Sequence, residues 1–228
     1  MNSAIIVAAG KSERMGVGTD KAFLSLGARP VLAWSLLAFE QCPDIDQIVL
    51  VVRKEKLLAT RSMVQMFGIS KLRTIVAGGP RRQDSVALGL ASLDPDTRIV
   101  SVQDGARPCT SSDLISETIR SAKRLGSGVA ASRVVDTIKF VARGTTVDHT
   151  LERDKLWAVQ TPQTFKLELL RKAYAKVAEM DTTITDEAAA MELLGEDVRL
   201  VEWPHANPKI TTAEDLTIAA ALLKIQGN

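Results

Sequence analysis

The sequence predicts an α/β fold, a Rossmann-like, mostly parallel sheet with helices on both faces and a projecting β-hairpin arm. Three observations carry this. Short apolar, β-branched runs recur along the chain, segments of helical length separate them, and near Val129 the alternation gives way to two extended stretches with no helix between. Strand–helix alternation argues for parallel pairing, because each crossover returns the next strand to the same end of the sheet. Ligands of such a sheet are expected at the carboxyl ends of its strands.

The elements follow in order. Ala4-Ile5-Ile6-Val7 is short, apolar and bounded by glycine, the pattern of a buried strand. It leads into a long loop, Ala8 to Lys21, and then a short extended piece, Ala22 to Leu26. Pro30 starts a helix over Val31–Gln41, since proline is tolerated at a helix's first position, and Pro43 stops it. A second buried strand spans Asp46–Val52, a helix Lys54–Phe67 ends at Gly68, and a third strand spans Leu72–Val76. Helix Ser85–Leu93, strand Arg98–Val102 and helix Asp113–Leu125, capped by Ser111 or Ser112, complete the regular part. Val134–Val141 and Thr146–Leu151 then form the hairpin, joined by Ala142-Arg143-Gly144-Thr145. Leu156–Gln160 returns as a strand, Thr161-Pro162-Gln163 is a turn, and helix Leu167–Glu179 follows. A helix from near Thr185 to Gly195, a strand Val198–Glu202 and a helix Thr212–Leu223 close the chain. With no repeat, linker or low-complexity tract, residues 1–228 are one domain, with the arm at 134–155 inserted in it.

Composition excludes several classes. At 46% apolar and 25% charged residues the chain is that of a soluble globular protein, and a net charge of +2 offers no field for nucleic acid. No run is long enough for a membrane span and the first apolar run lacks a signal peptide's basic flank, so a cytoplasmic location is expected. Cys42 and Cys109 stand apart and His149 and His205 are isolated, so neither a disulfide, a zinc site nor a His or Cys nucleophile is indicated.

The chemistry lies in three loops expected at strand ends, Ala8–Lys21, Gly78–Ser85 and Asp104–Pro108. Ala8, Ala9 and Gly10 leave backbone N–H groups bare, while Lys11, Arg14 and Lys21 supply cations, a combination suited to a polyphosphate. The spacing matches neither a Walker loop nor the dinucleotide fingerprint. Asp104 ends an apolar strand beside a small Gly-Ala pair and is the carboxylate best placed for Mg²⁺, which needs few protein ligands when phosphates are present. Transfer at phosphorus requires positioning and charge stabilisation, not a covalent protein group.

At Ala8-Ala9-Gly10, Arg14-Met15-Gly16, Gly78-Gly79, Arg82, Ser85-Val86, Asp104-Gly105-Ala106-Arg107-Pro108, Asp136-Thr137, Arg153, Gln160-Thr161-Pro162-Gln163, Thr185-Asp186-Glu187-Ala188 and Lys209, the chain resembles the 2-C-methyl-D-erythritol 4-phosphate cytidylyltransferases of the non-mevalonate isoprenoid pathway. The resemblance covers nearly the whole length and implies a nucleotide-diphospho-sugar transferase-like fold. It further implies a homodimer that joins through the β-arm and uses CTP and Mg²⁺ on a phosphorylated polyol. It assigns Arg14 and Lys21 to the α-phosphate and Ala8, Ala9, Gly10, Gly79 and Ser85 to the cytidine pocket. Ala106 falls to the ribose region, Asp104 to the metal, and Arg153 and Lys209, with Thr137 and Arg107, to the acceptor phosphate. The alternative is a cytidylyltransferase for a pentitol or pentulose phosphate, which shares the first loop and the Thr-Pro-Gln segment. Asp20 stands where such sequences usually have proline, Pro80 where a polar residue is usual, and Gln103 where His is common.

Overall fold

The computed structural model describes residues 1–10 and 20–225. From the N-terminus its elements are β1 (Asn2–Ala8), the short pair β2 (Ser25–Leu26) and β3 (Arg29–Pro30), α1 (Val31–Gln41), β4 (Gln47–Val52), α2 (Leu57–Met66) and β5 (Leu72–Ala77). There follow α3 (Arg82–Ala91), β6 (Ile99–Asp104), α4 (Ser112–Leu125), β7 (Ser127–Arg133), β8 (Lys139–Phe140) and β9 (His149–Thr150). The chain ends with β10 (Trp157–Lys166), α5 (Leu167–Glu179), α6 (Glu187–Leu194), β11 (Leu200–Glu202) and α7 (Ala213–Leu222).

Seven strands form one sheet in the order β11-β7-β10-β6-β1-β4-β5. All its pairings are parallel except those of β10, which runs antiparallel to both β6 and β7. The mostly parallel sheet expected from the sequence is therefore present. The alternation of β1 shows how it is buried. Ala4, Ile6 and Ala8 join Leu32, Leu36 and Phe39 of α1 and Ile115 and Ile119 of α4 in one core. Ile5 and Val7 face the other way, into a core with Val86 of α3 and Leu170 and Val177 of α5. Successive strand side chains point to opposite faces, so an all-apolar strand signals a sheet covered on both sides.

Helix boundaries have local causes. Ser111 accepts a hydrogen bond from the Leu114 N–H at the start of α4, and Gly126 closes that helix at φ 90°, a left-handed conformation that glycine adopts at no steric cost. α3 begins at Arg82 rather than the expected Ser85, because the Asp84 carboxylate reaches back to the Arg81 N–H at 3.0 Å and caps an earlier turn.

Two expectations change. Thr161-Pro162-Gln163 is not a turn between elements. It lies inside β10, at an irregularity where the register with β7 shifts between Val159 and Gln163. A proline inside a strand signals a turn by propensity, but the strand runs on past it and regains pairing at Gln163–Lys166 with β6. The expected hairpin strands Val134–Val141 and Thr146–Leu151 shrink to β8 and β9, which pair only through Lys139–Thr150 and Phe140–His149. The charged and glycine-bearing residues between them do not extend the ladder.

Candidate functional site

The carboxyl ends of β1, β4, β5 and β6 open on a cleft of about 440 Å³. Described residues of all three loops singled out from the sequence meet there, and hydrogen bonds anchor two of them to neighbouring strands. The Gly105 N–H donates to Val7 O at 2.8 Å, and the Gly78 N–H donates to Val52 O at 2.8 Å. The loops also pack directly on one another. A Cβ on Gly78 would lie 2.3 Å from Ala9 Cβ and 2.8 Å from Ser85 Oγ, and one on Gly105 would lie 3.1 Å from Ala8 Cβ. Small residues here thus let the loops nest as well as leaving amides bare. The Ser85 hydroxyl accepts from the Gly79 N–H at 3.1 Å and donates to Arg81 O at 3.2 Å, which fixes the turn between β5 and α3.

Lys21 lines the cleft from a single 3₁₀ turn, Lys21–Phe23, at the end of the first loop. Asp20 sets that turn in place. Its Oδ1 accepts from the Ala22 N–H at 3.2 Å, while its Oδ2 accepts from Arg53, just past β4, at 2.9 Å from Nη2 and 3.3 Å from Nε.

On the opposite wall, Asp104 receives three cations. Its Oδ2 is 2.7 Å from Lys209 Nζ and 3.8 Å from Arg107 Nε, and its Oδ1 is 3.1 Å from Arg82 Nε. Burial alone would raise the Asp104 carboxyl, but Arg82, Lys209 and Arg107 outweigh it and hold the group well below the ordinary carboxylate range. Behind Arg82 lies Glu187, fully buried, which accepts from Nη1 at 2.8 Å and Nη2 at 3.0 Å and from the Tyr174 hydroxyl at 2.9 Å. Burial, followed by the neighbouring Glu187 charge, pushes the Tyr174 hydroxyl far up, so it stays a donor.

Lys209 is aimed by a pinned segment rather than by a helix. Asn207, 1% exposed, donates to Thr161 O at 2.9 Å and accepts from the Thr110 hydroxyl at 3.0 Å. The Ile210 N–H donates to Ala106 O at 2.8 Å, and Arg107 Nη1 donates to Asn207 O at 2.6 Å.

The cleft therefore gathers Ala8, Ala9, Gly10, Lys21, Gly79, Ser85, Asp104, Ala106 and Lys209. Arg14 lies outside the described residues. Arg107 sits behind the cleft wall, 11% exposed at its side chain, holding Asp104 and Asn207. Thr137 and Arg153 do not line this cleft. Both are exposed, and Arg153 Nη1 donates to Val135 O at 2.8 Å within the 134–155 segment. Sequence reasoning gave no role to Arg53, Tyr174 or Asn207, quoted Arg82 without one, and read Glu187 only as an acid favourable in the first turn of its helix. Glu187 carried a legible signal: Asp186 suffices to cap α6 through the Ala189 N–H, leaving the second acid of the pair without a capping task.

No group of three His, Cys, Asp or Glu that could hold a metal ion occurs among the described residues. Of the carboxylates lining the cleft, Asp20 and Glu55 are engaged by Arg53, which leaves Asp104 as the candidate donor. A carboxylate has about four acceptor positions, and Arg82 and Lys209 each take one. That leaves about two positions, enough for an inner-sphere bond, which fits Mg²⁺ when waters and substrate phosphates supply the other ligands.

Comparison with known proteins places this arrangement. Residues 2–225 match the family model described as 2-C-methyl-D-erythritol 4-phosphate cytidylyltransferase. The chain is 43% identical to the protein of that name from Alkaliphilus oremlandii, over 97% of this chain and 94% of that one. It is 45% identical to the one from Dehalococcoides mccartyi strain 195, over 97% and 95%. Among solved structures it resembles 4-diphosphocytidyl-2C-methyl-D-erythritol synthase from Anaerococcus prevotii with a TM-score of 0.84, at 32% identity and 98% coverage of each chain.

Proposed function

The chain belongs to the 2-C-methyl-D-erythritol 4-phosphate cytidylyltransferase family, and from that premise we propose how its cleft carries out the transfer. The protein is a cytidylyltransferase that joins CTP and 2-C-methyl-D-erythritol 4-phosphate to give 4-diphosphocytidyl-2-C-methyl-D-erythritol and pyrophosphate. The pentitol or pentulose phosphate alternative is not favoured, because the relatives named above are all methylerythritol phosphate enzymes.

In the proposed mechanism the nested turns at Ala8–Gly10 and Gly78–Ser85 receive the nucleoside, with Ala106 at the ribose. Lys21 faces the triphosphate, a role that the resemblance also gives to Arg14. An oxygen of the acceptor phosphate attacks the α-phosphorus, the bond to the bridging oxygen breaks, and pyrophosphate leaves with the electron pair. Lys209, Arg153 and Thr137 hold the acceptor phosphate, and Arg107 steadies Lys209 through Asp104 and Asn207. Mg²⁺ at Asp104 would neutralise charge on the nucleotide phosphates. The observation that carries this reading is the excess of cations at this end of the sheet. Among the described residues Arg82, Arg107 and Lys209 meet only two carboxylates, Asp104 and Glu187, and Lys21 joins Arg82 and Lys209 in the cleft lining while Arg107 stands behind it, so the wall is arranged for an incoming anion. A cation about 4 Å from a phosphate gains roughly 1 kcal/mol in water and roughly 4 kcal/mol at an effective dielectric of 20, so exclusion of water strengthens every contact. A protein nucleophile is not required, and the Cys109 thiol, pushed up to about 11 by burial, is poorly suited to be one.

A homodimer joined through 134–155 completes the site in this proposal. Val135, Phe140 and Val147 are exposed there, β8 and β9 pair only with each other among the described residues, and Arg153 is held within that segment rather than in its own cleft. Each arm then carries Arg153 and Thr137 to the other subunit's acceptor site. No described helix is long and apolar enough to cross a membrane, which agrees with a cytoplasmic enzyme of diffusible substrates.

The deciding experiment follows pyrophosphate release from CTP with methylerythritol phosphate, ribitol phosphate and ribulose phosphate in parallel. Release with the first alone is expected, and its absence there would refute the reading.

A further inference from the structure

We propose that Glu187, which never reaches the cleft, is a positioning residue for Lys209 and acts through Arg82 and Asp104; this rests on the role given to Lys209 above. The four groups form an unbroken line of alternating charge, from the α5–α6 side of the sheet to the cleft. Glu187 binds both Nη atoms of Arg82 at 2.8 and 3.0 Å. Arg82 turns its Nε to Asp104 Oδ1 at 3.1 Å, and Asp104 Oδ2 holds Lys209 Nζ at 2.7 Å.

The guanidinium is planar, so two contacts at its fork fix the direction of its third. Glu187 thereby sets the angle at which Arg82 grips Asp104, and so which carboxylate oxygen is left for Lys209. Arg82 itself lines the cleft, with a side chain 26% exposed. Without the Glu187 charge its fork is free to turn, either onto both oxygens of Asp104 or onto a phosphate in the cleft. Both moves take Lys209 from its aim. The Tyr174 hydroxyl, on Glu187 Oε1 at 2.9 Å, keeps the carboxylate itself from rotating.

A purely architectural role is the competing account, since Arg82 opens α3 and Glu187 opens α6, and their contact also ties those helices together. The two accounts differ in a double-mutant cycle. Residues acting through one network are non-additive, whereas a general loosening of the fold adds to any other change. Glu187→Gln is expected to lower kcat about tenfold, an effect within the range of such couplings, with the KM for CTP nearly unchanged. In a Lys209→Ala background the same substitution should cost less than about twofold. Arg82→Lys keeps the charge but loses the fork, and Tyr174→Phe keeps the Glu187 charge but loosens it. These two milder variants should show the same dependence on Lys209 and serve as the test if Glu187→Gln does not fold. Equal losses with and without Lys209 overturn the proposal while leaving the site intact. A Lys209→Ala enzyme with unaltered kinetics instead refutes the role of Lys209, and the relay falls with it.

Discussion

Asp20 stands where the family usually has proline, and the structure gives it a task that can be measured. It caps the 3₁₀ turn carrying Lys21 and binds Arg53 at 2.9 Å, with side chains 4% and 25% exposed respectively. Asp20→Asn keeps the shape and still offers an oxygen to the Ala22 N–H, so it removes the charge facing Arg53 and little else. A hydrogen bond to a charged group contributes about 1.5–3 kcal/mol. Arg53 is a quarter exposed and also reaches Glu55 at 3.4 Å, which places the coupling at the lower end, about 1.5 kcal/mol. In a chain of this size that corresponds to a fall in Tm of about 3–6 °C. Asp20→Ala loses the cap as well and should cost about 1 kcal/mol more. The assay is thermal and urea unfolding of the wild type, Asp20→Asn, Arg53→Gln and the double variant. A coupling below about 0.5 kcal/mol would show that the pair is incidental and that the turn bearing Lys21 is held by other means.

Other substitutions test the cleft and its surroundings. Lys21→Ala should lower kcat by on the order of 10²-fold in a pyrophosphate-release assay, as loss of a transition-state charge donor does, and an unchanged rate removes Lys21 from the mechanism. Gly78→Ala, whose Cβ would meet Ala9 Cβ at 2.3 Å, must push two loops apart and should raise the KM for CTP more than it lowers kcat. Mixing Lys21→Ala with Arg153→Ala chains should restore activity in heterodimers if the arm crosses between subunits, and no recovery would place each site within one chain. Asp215 caps α7. Burial would raise its carboxyl, but the Thr211 hydroxyl and the N–H groups of Thr211 and Thr212 prevail and lower it. Because the folded state favours the ionised form, this stabilisation is present above the ordinary carboxylate pKa and is lost as pH falls through and below it. Asp215→Asn should therefore lower Tm at pH 7 and have a diminishing effect in acid.

The core strands were legible because burial on both faces leaves an unmistakable composition. β1 and β4 carry unbroken apolar runs, Ala4–Ala8 and Ile48–Val52, and α1 and α5 were placed at their observed limits. The cleft was legible where its chemistry is local, in turns of small residues and in an acid at the end of an apolar strand. Contacts across long stretches of chain were not. Glu187 and Arg82 are 105 positions apart, and nothing in either neighbourhood announces the other. Pro162 misled for a related reason, since local propensity favours a turn while pairing with β6 and β7 carries the strand onward. The 134–155 stretch reads as a hairpin because two extended runs follow each other with no helix between, but two pairs of residues make a short ladder.

The division of β1 between two cores has a consequence for how the enzyme can change. Its odd and even side chains anchor opposite layers, and the same strand delivers Ala8 to the crevice floor. A shift of one register position would invert both layers together, so the floor is held in register by the packing on both faces. Substrate preference is then tuned more readily from above, by the rim, than by the base beneath.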